Sequence, residues 1–223
     1  MKTNEKVEHQ SAVPQYITQA KKEAMSAKNK NTRAFFKALH ETLSAQWKAS
    51  DRPSDKSYLP RAFDHALKEL LHPLEIPEKE RELKRFECFQ PSLRQLSSEA
   101  SFLSKKRPDY ILENNKNKRI VILELKTNIS FNDFSAAIVQ AFLIKKMAES
   151  KGDYHYYIAS IHMASWKDDP EKYYWMNKQF GNPLDDVWIF SAQPKGAPSE
   201  LKFDVAAIEA FGAKVTNFLN GQS

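Results

Sequence analysis

Two apolar runs joined by a polar connection decide the fold of this chain. Residues 110–112 are Tyr-Ile-Leu, residues 113–119 are Glu-Asn-Asn-Lys-Asn-Lys-Arg, and residues 120–123 are Ile-Val-Ile-Leu. Short β-prone runs on either side of an Asn-rich connection predict a β-hairpin, since Asn tolerates the left-handed conformation that turns require. Arg-Pro-Asp at 107–109 precedes the first run, and Glu-Leu-Lys at 124–126 follows the second. Acidic residues therefore stand at the open end of the predicted hairpin.

The spacing of these acids predicts how they face each other. Lys116 and Asn117 lie midway between Asp109 and Glu124, so a symmetric hairpin sets the two acids opposite each other, with Cβ atoms roughly 5 Å apart. The period of two along a strand puts Glu124 and Lys126 on one face. Two carboxylates this close repel each other unless a proton or a cation lies between them. Mg²⁺, a hard cation that prefers oxygen ligands, fits such a pair.

This arrangement has the parts needed for phosphodiester hydrolysis. A bound cation can polarise a phosphoryl oxygen and lower the pKa of a water. Lys126 beside it could orient or help deprotonate that water and stabilise charge on the phosphate. The alternative is an ordinary charged hairpin on which Glu124 and Lys126 are merely solvated. We favour the interpretation as a hydrolytic site because Pro-Asp and Glu-Leu-Lys flank the same hairpin and Glu124 follows directly on an apolar run.

The motif also resembles a known family. Pro-Asp at 108–109, followed after fourteen residues by Glu-Leu-Lys at 124–126, is similar to the signature of the PD-(D/E)XK nuclease superfamily. The resemblance implies an α/β, restriction-endonuclease-like core with a mixed central sheet of about four or five strands flanked by helices. It further implies that Asp109, Glu124 and the Leu125 carbonyl ligate Mg²⁺, for which Mn²⁺ would substitute. Lys126 would then act on the nucleophilic water.

Superfamily members often add an acid from a helix before the first core strand. Glu69, on a predicted amphipathic helix at 61–72, is the candidate for this role. An ordinary surface glutamate explains it equally well, and Glu99, which begins a predicted strand at 99–103, is a rival.

Several residues around the hairpin are candidates for DNA contacts. Gln140 resembles a glutamine that exonuclease-like members carry on the following helix, although Ile144 stands where those members have tyrosine. The basic candidates could hold the phosphate backbone; they are Lys105, Lys106, Arg107 and Lys145. An aromatic-rich insertion at 163–186 could stack on unpaired bases, but core or lid packing is the favoured interpretation.

The remaining pattern predicts the layout of the chain. We expect helices within 14–50 and at 61–72, 133–149 and 206–219, strands at 99–103, 110–112, 120–123, 154–161 and 187–190, and a loop at 51–57. Asn132 or Asp133 is the expected N-cap of the helix at 133–149. Residues 1–57 are interpreted as an N-terminal helical extension for dimerisation or DNA binding, and residues 58–223 as the nuclease core.

Charge and hydropathy bear on partners and location. The net charge is +6, and residues 1–50 hold nine Lys and Arg against four Glu. Such an excess favours a polyanion partner, although a solvated basic face explains it equally well. The polar N-terminus and the lack of any run near the ~20 apolar residues that span a bilayer predict a cytoplasmic protein without a membrane partner.

Together these observations predict a metal-dependent DNA endonuclease of restriction or mobile-element-defence type. A homodimer is expected because cutting both strands commonly needs two active sites. The alternatives are a non-cleaving DNA-binding subunit on the same fold, or a nuclease directed at RNA or branched DNA.

Overall fold

The computed structural model describes residues 13–49, 55–71, 81–84, 109–114, 116–148, 153–163, 170–191 and 202–222. The chain divides into two compact units, Met1–Glu69 and Leu70–Ser223. This division falls inside a helix, twelve residues after the boundary expected at 57. The functional roles expected for residues 1–57 and 58–223 stay predictions.

The first unit is helical, as the apolar spacing predicts. Its helices are α1 (Val13–Ser26), α2 (Lys30–Ala49) and all but the last two residues of α3 (Asp55–Leu71). Phe35 is buried and packs edge-on against Phe36 and Phe63, with ring centroids 5.1 and 6.4 Å away. The loop prediction is wrong for residues 55–57, which are helical. Asp and Ser are common at the starts of helices as well as in loops, so the composition of this stretch does not separate the two.

The second unit is built on a mixed five-stranded sheet among the described residues. Its elements in chain order are β1 (Arg81–Lys84), β2 (Tyr110–Asn114), β3 (Arg119–Ile129), α4 (Phe131–Ala148), β4 (Asp153–Met163), α5 (Pro170–Gln179), β5 (Asp186–Ile189) and α6 (Val205–Asn220). The strands lie in the order β1-β2-β3-β4-β5. The β1–β2 and β2–β3 pairs are antiparallel, whereas β3–β4 and β4–β5 are parallel. The predicted mixed sheet flanked by helices is confirmed.

Two elements of this unit escape prediction from sequence. Strand β1 is the charged segment Arg-Glu-Leu-Lys, which has no apolar run and becomes a strand only by pairing with β2. Helix α5 lies inside the aromatic insertion at 163–186. The segment 99–103, where a strand is predicted, lies outside the described residues. None of the described helices combines the length and apolar character needed to cross a bilayer.

Helices cover both faces of the sheet in the second unit. On one face, α4 packs against strand residues to form a buried apolar cluster that includes Ile111, Ile122, Ile138, Ala141 and Tyr156. On the other face, Phe211 of α6 makes edge-on ring contacts with Tyr157, Trp188 and Phe190. Alternate residues of β4 therefore face different helices, as strand geometry requires.

The start of α4 is fixed by a reciprocal cap. Ser130 Oγ accepts a hydrogen bond from the Asp133 backbone N–H, and Asp133 Oδ2 accepts from both the backbone N–H and the hydroxyl of Ser130. This is a capping-box arrangement. The expected N-cap at Asn132 or Asp133 is therefore wrong: the helix begins at Phe131, and Asp133 is the partner of the capping serine.

The closed end of the β2–β3 hairpin is tied to the end of α6. Asn114, which is buried, donates from Nδ2 to the Leu219 carbonyl at 2.8 Å, and its Oδ1 accepts from the Lys116 N–H at 3.0 Å. Asn117 donates to the same carbonyl at 2.7 Å. Asparagines of the connection thus satisfy a helix carbonyl that has no partner within its own helix. The turn is held here, and the acids stand at the opposite end of the hairpin.

Candidate active site

The hairpin register brings the two predicted acids together. Tyr110 pairs with Leu123 and Ile111 with Ile122, so the register of the paired strands is the one that the symmetric hairpin predicts, and it is confirmed. Extended by one position, this register sets Asp109, which directly precedes β2, opposite Glu124. The Asp109 backbone N–H donates at 3.0 Å to the carbonyl of Leu123, the residue that already pairs with Tyr110. The regular pairing therefore ends at Tyr110, and Asp109 lies at the open end of the hairpin.

Asp109 is held by the strand it faces. One carboxylate oxygen, Oδ2, accepts a hydrogen bond from the Leu125 backbone N–H at 2.7 Å. Asp109 is exposed, so this bond orients a carboxylate that solvent and ligands can reach. The contact also places Asp109 beside all three residues of the Glu-Leu-Lys segment.

Glu124 and Lys126 form an ion pair on one face of β3. Lys126 Nζ lies 2.7 Å from Glu124 Oε1, and the two side chains are only 29% and 12% exposed, respectively. A pair this sheltered is screened less by salt than a surface pair. The alternative of a solvated surface pair is therefore a poor description of these two residues.

The environment of Lys126 keeps its amine charged. Burial acts to lower the pKa of Lys126, but the charge of Glu124, its hydrogen bond, and the charges of Asp109 and Asp133 outweigh this, so the pKa is raised. Lys126 is accordingly an ammonium at neutral pH. In this state it can donate hydrogen bonds and stabilise negative charge but cannot accept a proton.

The donor set suits Mg²⁺ better than a metal that needs a closed protein cage. Asp109 and Glu124 offer carboxylate oxygens, and the Leu125 carbonyl lies between Glu124 and Lys126 in sequence. Over the described ranges there is no group of three or more His, Cys, Asp and Glu residues arranged to hold a metal. Mg²⁺ is commonly held through one or two carboxylates with waters completing its octahedron, so the residues present fit this ion.

The other predicted residues divide into three groups. Lys105, Lys106, Arg107 and the rival acid Glu99 lie outside the described residues. Glu69 belongs to the first unit, where its carboxylate lies 3.9 Å from His65 Nε2, and its role as an upstream acid stays a prediction.

The remaining DNA-contact candidates, Lys145 and Gln140, both lie in the second unit. Lys145 Nζ lies 2.6 Å from Asp185 Oδ2. Gln140 is 7% exposed, and its Nε2 has no hydrogen-bond partner within the described part of the chain. Gln140 is thus a buried residue, and its contact with DNA stays a prediction.

The aromatic insertion is only partly a packing element. Tyr174 and Trp175 on α5 are 67% and 64% exposed, so core packing is wrong for these two residues. Met176, next in sequence, contacts the Ser135 hydroxyl of α4 at 3.7 Å. Helix α5 therefore lies beside the N-terminal half of α4, only a few residues from Asp133.

Two residues of the site were missed from sequence. Asp133 was considered only as a cap, although its charge acts on Lys126. Tyr156 on β4 lies in the fields of Glu124 and Asp109. The Ser-x-x-Asp pattern after the Glu-Leu-Lys strand could have located Asp133 through the capping box. No sequence signal gives Tyr156, because its position depends on how a parallel strand pairs after the α4 crossover.

Comparisons with known proteins identify the fold. No model of a known protein family and no curated protein sequence matches the chain. Among solved structures, the type IIP restriction endonuclease Kpn2I is similar with a TM-score of 0.50 and 13% identity, over 95% of this chain and 73% of its own. The Bse634I restriction endonuclease gives a TM-score of 0.43 and 11% identity, over 80% and 84% of the two chains. The chain therefore has a restriction-endonuclease-like fold.

The balance of charges around Lys126 can be tested by substitution. We expect Glu124→Gln to lower the pKa of Lys126, because burial then opposes only the weaker fields of Asp109 and Asp133. Asp133→Asn is the matched control and should lower the pKa less. The measurement is an NMR titration of the Lys126 side chain with ¹³C-labelled lysine.

The wild type should show the matching pH dependence. Because the pKa of Lys126 is raised in the folded protein, the Glu124–Lys126 ion pair should persist at neutral pH and be lost only as pH rises through that pKa. An unchanged pKa in Glu124→Gln would contradict the assignment.

Proposed function

We propose that this protein is a Mg²⁺-dependent nuclease that hydrolyses DNA phosphodiester bonds, as an endonuclease of restriction or mobile-element-defence type. The observation that carries the proposal is the arrangement of Asp109 opposite Glu124 with Lys126 on the same strand face. The restriction-endonuclease-like fold supports it, and the similar structure with a TM-score of 0.50, Kpn2I, is a restriction endonuclease by name.

Each residue of the site has a distinct part in this proposal. Asp109, Glu124 and the Leu125 carbonyl would hold Mg²⁺, which supplies Lewis-acid activation of water and of the phosphoryl group. Lys126, charged at neutral pH, would orient the attacking water and stabilise negative charge on the phosphate.

DNA would approach the open end of the hairpin. Asp109 is exposed there, and the basic run of Lys105, Lys106 and Arg107 directly precedes it in sequence. Lys145 is a weaker candidate because Asp185 already binds its ammonium. Contacts from basic residues of this kind set affinity and register rather than sequence preference.

The most direct test is cleavage of a DNA panel. Supercoiled, linear, single-stranded and branched DNA would be incubated with the wild type plus Mg²⁺ or EDTA, and product ends would be mapped. We expect Mg²⁺-dependent cleavage that falls roughly 10²- to 10³-fold in Lys126→Ala, the usual cost of losing a group that stabilises developing charge. Asp109→Asn and Glu124→Gln should also lose cleavage.

The matched control is Lys116→Ala, which removes the same charge at the turn of the same hairpin and should cut at close to the wild-type rate. Wild type that binds DNA but cuts none of the panel would favour the non-cleaving subunit. Cleavage of RNA or of branched DNA alone would favour those substrates instead.

A homodimer is part of the proposal, because cutting both strands of a duplex commonly needs two active sites. Light scattering coupled to size-exclusion chromatography should give, when duplex DNA is bound, the mass of that DNA plus twice the 25.7 kDa chain mass. A mass corresponding to one chain, with and without DNA, would contradict it. A cytoplasmic location stays a prediction.

A further inference from the structure

Tyr156 carries a buried hydroxyl that is not accounted for by the fold. The residue is 0% exposed, and its hydroxyl has no hydrogen-bond partner within the described ranges. Buried polar groups in native proteins almost always have partners, so an exception calls for a specific explanation. The backbone of Tyr156 is well held, since its N–H donates to Asp185 Oδ2 at 2.6 Å.

The sheet register places Tyr156 one row away from the acidic pair, on the same face of the sheet. Ile111, Ile122 and Tyr156 lie side by side on β2, β3 and β4, and the next row on the same face contains Asp109 and Glu124. Rows on one face are two residues apart, which is roughly 7 Å along a strand. A tyrosine side chain is long enough to span most of that distance.

The electrostatic environment agrees with this placement. Burial raises the pKa of Tyr156 first of all, and the charges of Glu124 and then Asp109 raise it further. Both carboxylates therefore act on Tyr156, whose hydroxyl is a neutral hydrogen-bond donor. Glu124 Oε1 accepts a hydrogen bond from Lys126, and the Tyr156 hydroxyl is bonded to neither Glu124 nor Asp109.

We propose that Tyr156 is a positioning residue for Glu124, whose carboxylate accepts a hydrogen bond from the tyrosine hydroxyl when a divalent cation binds at the acidic pair. This inference rests on the proposed function, because it requires that the pair bind a cation. Carboxylates that bind metals are generally hydrogen-bonded in turn by neighbouring groups, which orient them. Lys126 supplies such a bond in the present structure. Tyr156 supplies it when the cation competes with the ammonium for Glu124.

The chain offers a closely matched control in the next residue. Tyr157 is also 0% exposed, but it faces α6 on the opposite side of the sheet. Its hydroxyl has a partner, since it lies 2.5 Å from His155 Nδ1. Tyr156→Phe and Tyr157→Phe thus remove the same atom from adjacent buried positions, one without and one with a hydrogen bond.

Binding of Mn²⁺ to purified protein, measured by isothermal titration calorimetry, tests the inference without any nuclease assay. We expect the wild type to bind Mn²⁺ and Glu124→Gln to lose that binding. Tyr156→Phe should bind roughly 10- to 100-fold more weakly than wild type, the usual cost of losing such an orienting partner. Tyr157→Phe should bind within about twofold of wild type, since its hydroxyl lies on the other face.

Thermal unfolding without metal gives the second readout. Tyr156→Phe should melt at or above the wild-type temperature, because it removes a buried hydroxyl that has no partner. Tyr157→Phe should melt lower, because it leaves His155 without its partner. A Tyr156→Phe protein that unfolds or melts like Tyr157→Phe would mean a structural role and overturn the inference.

The outcomes separate the inference from the proposed function. If Mn²⁺ binding depends on Glu124 but is unchanged in Tyr156→Phe, the Tyr156 inference fails while the metal site stands. If the wild type binds no Mn²⁺, or binds it no more tightly than the Glu124→Gln variant does, the proposed metal site fails and the inference fails with it.

Discussion

The register of the β2–β3 hairpin is the constraint on which the site depends. Because side chains alternate along a strand, a slip of one residue would move Glu124 and Lys126 to the opposite face and separate Asp109 from its partner. The register is held at both ends. Asn114 binds the turn to α6, and the Asp109 N–H closes the ladder on the Leu123 carbonyl.

The charges around Lys126 bear on the proposed cation site. Among the described residues, the carboxylates of Glu124, Asp109 and Asp133 act on the ammonium of Lys126. Asp133 lies in the first turn of α4, where a negative charge is favourable. Glu124 is sheltered, and removing a charged group from water is costly unless partners compensate. A divalent cation between Asp109 and Glu124 would add positive charge beside both carboxylates.

The features of the fold and of the site that could be predicted from sequence are those that depend on residues close together in the chain. The register of Asp109 and Glu124 was predictable because a short hairpin is a local structure centred on its own turn. Strand β1 was not, because its charged sequence acquires strand structure only from pairing with β2. The position of Tyr156 depends on the parallel pairing of β4 with β3, which the α4 crossover determines and no local pattern records.

The cap of α4 lies between these cases. Its sequence signal is local, because Ser130 and Asp133 are three residues apart. Choosing Ser130 as the N-cap over Asn132 or Asp133 nevertheless required knowing where β3 ends. The strand has eleven residues and ends at Ile129, and the helix begins at Phe131, so Ser130 is the one residue between them. Element boundaries of this kind depend on neighbouring pairing. The positions of Asp109, Glu124 and Lys126, in contrast, depend on the hairpin alone.

The proposed function requires a divalent cation at the open end of the hairpin. Anomalous diffraction from crystals grown with Mn²⁺ would show whether a cation binds there. We expect an anomalous peak between Asp109 and Glu124, within about 2.5 Å of carboxylate oxygens from both residues. Manganese bound elsewhere in the crystal, with no peak between these two carboxylates, would contradict it.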